Sequence, residues 1–309
     1  MQKNMLVAVG SGGLSAVASM AFFTGSPGGL LFVYISMLPI FLVAFSFGYM
    51  AGIIACGAGL LVALGMGGVV NGASYGILHA FPAWLVSRHC LSSTLSEDGQ
   101  PEWPPVGDVL GVVALASATI MVLAGVYIAG DINGLQATVS SHITEVFSLM
   151  GLGVENPEFA NLRDALVTVF PAALGISWVV MTILNALLAQ NLLVRFEKNL
   201  RPSPSYIDMS LPQWVAVPMI VAAAIALASD GDIRYLSQNL TIVLAAPFFF
   251  LGLTVAHWAV RQVPDFRIPL IIGFYMILLI SGWALAIVAA IGMAEQWWGL
   301  KDRFKQDTQ

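Results

Sequence analysis

The stretch "IPLIIGFYMILLISGWALAIVAAIGM" at 268–293 contains no charged residue. It is longer than the ~20 residues that carry an α-helix across a ~30 Å hydrocarbon layer. A second run, "VPMIVAAAIALAS" at 217–229, has the same character. Both are continuous, whereas strands of a membrane barrel alternate with a period of two. Backbone amides in hydrocarbon must be paired within the segment, so such runs fold as helices. The remaining composition agrees: 58% of residues are hydrophobic and 9% charged, with a mean hydropathy of +0.86. An aqueous globule of that make-up would expose large apolar patches, which lipid accepts as surface. The expected fold class is therefore all-α, a polytopic membrane helix bundle.

The pattern predicts nine spans, at residues 5–23, 30–48, 50–69, 72–88, 108–130, 166–193, 212–229, 236–260 and 268–293, within a single integral membrane domain covering 1–309. Residues 1–91 form a tight four-helix group, because "TGSPGG" (24–29), "GYMAG" (48–52) and "GGVVNG" (67–72) are glycine turns too short for anything but antiparallel neighbours or partly re-entrant segments. Residues 92–107 are a polar, proline-rich loop, and 108–309 carry the remaining helices. In that part, 134–150 reads as one amphipathic interfacial helix, with Leu135, Val139, Ile143, Val146 and Met150 at helical spacing. The apolar stretch after Lys3 runs on as a full span and "TGSPGG" is a poor cleavage context, so a leader peptide is not expected.

Orientation rests on Lys and Arg near span ends. Alternation over nine spans puts Lys3, Arg88, Arg195, Lys198, Arg201, Arg261 and Arg267 on one side. Arg163, Arg234, Lys301, Arg303 and Lys305 fall on the other. Short loops carry the first group, which places the amino terminus and the loop "RFEKNLRPSP" in the cytoplasm of a bacterial inner membrane. If one carboxy-terminal span does not cross, eight crossings remain and the basic tail joins the cytoplasmic side. In that tail Trp297, Leu300 and Phe304 share a helical face with cations beside them, the pattern of a head-group anchor.

Enzyme signatures are absent. "GSGG" (10–13) lacks the lysine of a phosphate loop, and there is no HExxH, GxSxG or CxxC. Cys56 and Cys90 stand alone, and the net charge of −5 with no basic stripe argues against nucleic acid. No catalytic residue, cofactor or metal site is expected. Ionisable residues within spans are few. His79 and His257 are each read either as a neutral imidazole bonded to a neighbouring helix or as a proton or ligand contact. Ala8, Gly12 and Ala16 recur every four residues on the first span and make a small-residue face, suited to internal packing or to docking a second membrane subunit. Asn185 suits a helix cross-link. Pro202 and Pro204 hold "RPSPS" extended, which a mere topology marker does not need, so Arg201, Pro202 and Pro204 are a candidate contact site.

The strings "GSPGGLLFVYISMLPIFLVAFSFG", "FPAWLVSRHCLSS", "EWPPVGDVL", "NALLAQNLLVRFEKNLRPSPSYIDMSLPQW" and "AEQWWGLKDRF" together resemble the YybS-like family of bacterial integral membrane proteins. The resemblance is colinear over nearly the whole chain and implies a multi-span inner-membrane protein without an established activity. At the level of fold it is similar to the S subunits of energy-coupling-factor transporters, which capture a small molecule in a helical bundle and dock through small residues of the first span. That similarity touches this chain only at Ala8, Gly12 and Ala16. The expectation is a small-molecule capture or permease-like subunit that depends on partner proteins for energy, with His79, Trp84 and Asn185 lining the pocket. The alternative is a scaffold that binds lipid or protein through its cytoplasmic basic loop.

Overall fold

The computed structural model describes residues 2–21, 28–129, 134–152 and 157–306; most of the "TGSPGG" turn and the side chain of Phe304 lie outside the described residues. The helices are α1 (Gln2–Ser19), α2 (Gly29–Tyr34), α3 (Leu38–Phe47), α4 (Tyr49–Tyr75), a π-helical turn (Gly76–Ala80), α5 (Phe81–Cys90), α6 (Val106–Ala129), α7 (Leu135–Leu149), α8 (Pro157–Arg195), α9 (Ala216–Ala228), α10 (Gly231–Leu244), α11 (Ala246–Arg261), α12 (Arg267–Ile280), α13 (Gly282–Trp298) and α14 (Leu300–Gln306). A two-stranded hairpin, β1 (Thr94–Leu95) with β2 (Pro101–Glu102), interrupts them. By contacts the chain forms two compact units, Met1–Val113 with Trp178–Ser205, and Ala114–Ser177 with Tyr206–Gln309.

Among the described residues, five helical stretches are long and apolar enough to cross a membrane: Gly29–Phe47, Tyr49–Cys90, Val106–Ile128, Phe159–Arg195 and Gly231–Arg261. A sixth is counted if the pair Pro264–Ile280 and Gly282–Trp298, bent by 117°, is one span. The nine expected spans map onto this set with four differences, the first being that Tyr49–Cys90 is one stretch where the two spans 50–69 and 72–88 are expected. α1 begins with Gln2, Lys3 and Asn4, is rich in Gly and Ser, and is not in the set. Residues 213–228 form a shorter apolar helix, and the last expected span is the bent pair. Outward side chains such as Leu227, 89% exposed, and Leu279, 83% exposed, have no place in water and fit a lipid-facing surface.

In the first unit, glycine sets the geometry. Gly48, at φ 96°, turns α3 into α4, and Ala44 lies directly across from Gly52. α4 is folded back on itself at Gly67 and Gly68, whose backbones leave the helical region (φ −146°, ψ 19° and φ 70°, ψ −165°). Leu64 then lies against Gly72, Leu60 against Gly76, and the Cys56 thiol 3.4 Å from the Ala80 carbonyl. That descending register is an antiparallel helical hairpin, so 49–66 and 69–90 are two segments joined by a glycine turn, as the separate spans 50–69 and 72–88 require. α1 packs along this hairpin. A Cβ on Gly12 would collide with the Ala55 carbonyl, which shows how closely the two backbones approach.

In the second unit, α8 is helical through Pro171, which has no N–H for the Val167 carbonyl. α10 supplies what the proline removes: the Tyr235 hydroxyl donates to the Val167 carbonyl, and Asn239 accepts from the Ala172 N–H at 2.9 Å while donating to the Thr168 carbonyl at 3.1 Å. Tyr235 and Asn239 are both buried, one turn apart on a single face. α11 and α13 cross at two glycines, where a Cβ on Gly252 would meet the Val288 carbonyl and one on Gly292 the Phe248 carbonyl.

α7 is the amphipathic helix expected at 134–150, and Gly134 (φ 78°) precedes it. Asp232 of α10 caps its amino terminus, accepting from the N–H groups of Leu135 (2.8 Å) and Gln136 (3.0 Å). The buried stripe differs from the expected one. Ile143 and Phe147 join Val167 in a small core with Val139, Leu152 and Phe159, whereas Val146 and Met150 are exposed. An α-helix turns through 100° per residue, so the core face continues by steps of four to Phe147, and Val146 and Met150 fall off its edge.

Candidate functional site

The polar groups of the first unit gather where α2 gives way to α3. Pro39 cannot donate backward, and the turn before it tightens: the Leu38 N–H bonds to the Ile35 carbonyl at 3.0 Å instead of reaching Tyr34. Asn185, arriving on α8, donates its Nδ2 to the Tyr34 carbonyl (2.5 Å) and to the Met181 carbonyl of its own helix (2.7 Å). Two residues past Tyr34, the Ser36 hydroxyl lies 2.8 Å from the Val33 carbonyl and 2.8 Å from His79 Nδ1. A hydroxyl has one proton. Both contacts are satisfied together only if that proton goes to Val33 and His79 donates from Nδ1; in the neutral imidazole that tautomer leaves the lone pair on Nε2. His79 sits in the π-helical turn Gly76–Ala80, a distortion often found at functional positions. One turn earlier, Tyr75 lies 5.7 Å from it ring to ring and donates its hydroxyl to Ser15 of α1 at 2.9 Å.

Residues from α1, the α2–α3 turn, α4, the π-helical turn and α8, namely Ser15, Ser36, Tyr75, His79 and Asn185, thus form a buried polar set, each no more than 3% exposed. One atom in it has no partner. Both acceptors facing Asn185 are carbonyls, so its nitrogen is assigned to them, and its Oδ1 is left buried and unbonded. An unmet acceptor in such surroundings costs several kcal/mol. Ser87 Oγ and Trp178 Nε1 are the other buried polar atoms without a partner among the described residues.

The other residues singled out in the sequence lie elsewhere. Trp84 is half-buried beside Phe81, with the Arg88 guanidinium 5.7 Å over its ring, and does not belong to the polar set. Its indole is a platform for a cation one turn along the helix. Ala8, Gly12 and Ala16 are buried against α4 of the same chain, which leaves no space on that face for a helix from a second subunit. Arg201 is buried too. Its guanidinium donates to the Pro104 carbonyl at 2.6 Å and to the Cys90 carbonyl at 3.3 Å, while its own carbonyl accepts from Gln190 and Asn199. It ties the proline-rich loop to the end of α5 and is not presented to an outside ligand. Pro202 is exposed and Pro204 half-buried, and Arg195 and Lys198 remain on the surface. His257 on α11 bonds to the Leu253 carbonyl and meets the Tyr275 hydroxyl at 3.5 Å.

In the second unit an open groove of about 510 Å³ is lined by Gln136, Ser140, Asp164, Val167, Thr168 and Asp232. Asp232 is committed to the α7 terminus, and Asp164 holds Arg163 at 2.7 Å. Among the described residues no three His, Cys, Asp or Glu side chains come together as metal ligands.

Sequence reasoning passed over Ser36 and Tyr75, and took Ser15 only as a small residue, beside Ser11 and Ser19, on the face of the first span. Tyr75 and His79 stand four apart in one run, and Ser36 stands three before Pro39, so the signal was a polar residue beside a helix-breaking one. It is weak, because serine is common in membrane helices.

Apolar helices long enough to span a bilayer, lipid-facing outer side chains and an inward polar set define a polytopic integral membrane protein. The chain belongs to the family described as predicted membrane protein (DUF2232), whose model matches residues 13–295. No curated protein and no solved structure matches it.

Proposed function

We propose that this is a permease-like membrane protein that binds a small polar solute at the α2–α3 junction, between His79, Ser36 and Asn185. The observation that carries the reading is the unbonded Asn185 Oδ1, an acceptor held in a buried site where His79 offers a second lone pair. Helices that break at membrane depth and turn polar groups inward are how transporters build solute sites. The chain has no nucleotide-binding motif, and in this reading partner proteins supply the energy for transport. The small-residue docking of the capture subunits it resembles does not carry over, because α4 fills that face. The test is thermal unfolding of the purified protein against an unbiased library of polar, metabolite-sized solutes. A solute that stabilises the wild type and not Asn185→Leu supports the reading; a library that stabilises nothing contradicts it.

The reading includes an orientation. Gln296 Nε2 donates to the Leu211 carbonyl at 2.8 Å, and Lys301 Nζ to the Ile207 carbonyl at 2.9 Å, so the tail and the end of the basic loop share one face of the membrane. We place that face in the cytoplasm of a bacterial inner membrane by its Lys and Arg content, together with the amino terminus. An even number of crossings must then separate Leu211 from Gln296. With α9 crossing one way, α10–α11 the other, and α12–α13 as a re-entrant pair, the total is eight.

A second reading, a scaffold that contacts lipid or protein through the basic loop, draws on the exposure of Arg195 and Lys198. Reversing both charges separates the two: a scaffold loses its partner, and a solute site keeps its ligand.

A further inference from the structure

We infer that the solute bound at the α2–α3 junction is uncharged and carries a hydrogen-bond donor at one end and an acceptor at the other, in the manner of a lactam, a primary amide on a polar ring, or a nucleobase. The inference rests on the site proposed above and adds its chemical class.

Charge comes first. Within Gly29–Phe47, Tyr49–Ser87 and Trp178–Val194, the segments that build the first unit's membrane core, there is no Asp, Glu, Lys or Arg. His79 is 3% exposed with no carboxylate in these segments to pair an imidazolium, so it supplies no counter-charge either. A charged solute would enter a site with no counter-charge, where an ion left unpaired in low dielectric is strongly disfavoured.

Hydrogen bonding narrows the class further. Trp178, Thr182 and Asn185 occupy one stripe of α8, at positions i, i+4 and i+7, and all are buried. The stripe ends in two unmet groups of opposite kind. Trp178 Nε1 is a donor without an acceptor, and Asn185 Oδ1 is an acceptor without a donor. Two helical turns separate the residues, about 10 Å along the axis. Thr182, between them, already donates to the Trp178 carbonyl at 2.8 Å and competes for neither. A ligand that ends in a donor near Asn185 and in an acceptor near Trp178 answers both, and a site built on such groups rejects analogues that lack them.

The experiment uses the full-length protein in nanodiscs and a panel in which each scaffold is present as its primary amide, its carboxylate and its primary amine. Binding is read by thermal shift and then by calorimetric titration, on wild type, Trp178→Phe and Asn185→Leu. Trp178→Phe keeps the ring and removes only the N–H, so it stays informative if Asn185→Leu folds poorly. The expected result is stabilisation by amides alone, with affinity about tenfold weaker in either variant. Stabilisation by acids or amines that is lost in Asn185→Leu overturns the inference and leaves the site standing. Amides that bind equally well to wild type and both variants overturn the inference as well. A panel in which nothing stabilises the wild type removes the site itself.

Discussion

Pro171 shows how a single residue dictates the chemistry of its neighbours. It takes one N–H out of α8, and Tyr235 and Asn239 are buried where they are because three backbone groups around that gap need partners. Tyr235→Phe leaves the Val167 carbonyl orphaned and is expected to destabilise the protein by about 1–3 kcal/mol, read as a lowered midpoint of thermal unfolding. An unchanged midpoint would mean that the carbonyl freed by Pro171 needs no outside donor. In the sequence Pro171 is visible at once, but its partners are not: Tyr235 and Asn239 lie more than sixty residues away, and nothing local marks them. Arg201 makes the same point in reverse. Its place among cations and prolines suggested an outward contact, yet the carbonyls of Cys90 and Pro104 claim its guanidinium. Composition reveals a charge and hides the backbone it satisfies.

Among elements, those joined by glycine were the most legible. Gly48 and the Gly67–Gly68 pair are local signals with local consequences, and the hairpins they make follow from short loops alone. Long-range crossings were less so. Gly252 and Gly292 read as ordinary members of apolar runs, and only the packing shows that each faces a carbonyl of the opposite helix. Gly292→Val should force α11 and α13 apart at a loss of about 1–3 kcal/mol, while Gly273→Val, at a position with open space, should be tolerated. Equal tolerance in thermal unfolding would refute the close crossing. The tail needs correction at this scale. Lys301, one of the cations beside the expected head-group anchor, is buried, with Nζ 3.4 Å from Glu295 and bonded to the Ile207 carbonyl. Lys301→Met strands Glu295 and should cost on the order of 3 kcal/mol, and adding Glu295→Gln should recover much of it. A double variant as unstable as the single one would contradict the pairing.

For the whole molecule, the membrane class was legible from apolar content and the absence of alternation, which sum over hundreds of residues. Crossing number was not, because the last apolar run is long enough to span yet breaks at Ser281 with a 117° bend. Orientation is tested by single cysteines in a background lacking Cys56 and Cys90. Probes at Lys3, Lys198 and Lys305 should react from the cytoplasmic side and one at Asp230 from the other; reactivity of Lys198 and Lys305 from opposite sides would refute the shared face. The candidate site was half legible: His79 and Asn185 stood out as polar residues in apolar runs, while Ser36 gained meaning only when the α2–α3 junction set it against His79, and Tyr75 only when α4 met Ser15 of α1. The claim on which the functional account stands is that this polar set receives a solute. Calorimetric titration of the best stabilising solute into wild-type protein and into Asn185→Leu tests it most directly. The account predicts one saturable site in the wild type, weakened about tenfold or more by the substitution; the same affinity in both proteins, or no saturable binding to the wild type, would contradict it.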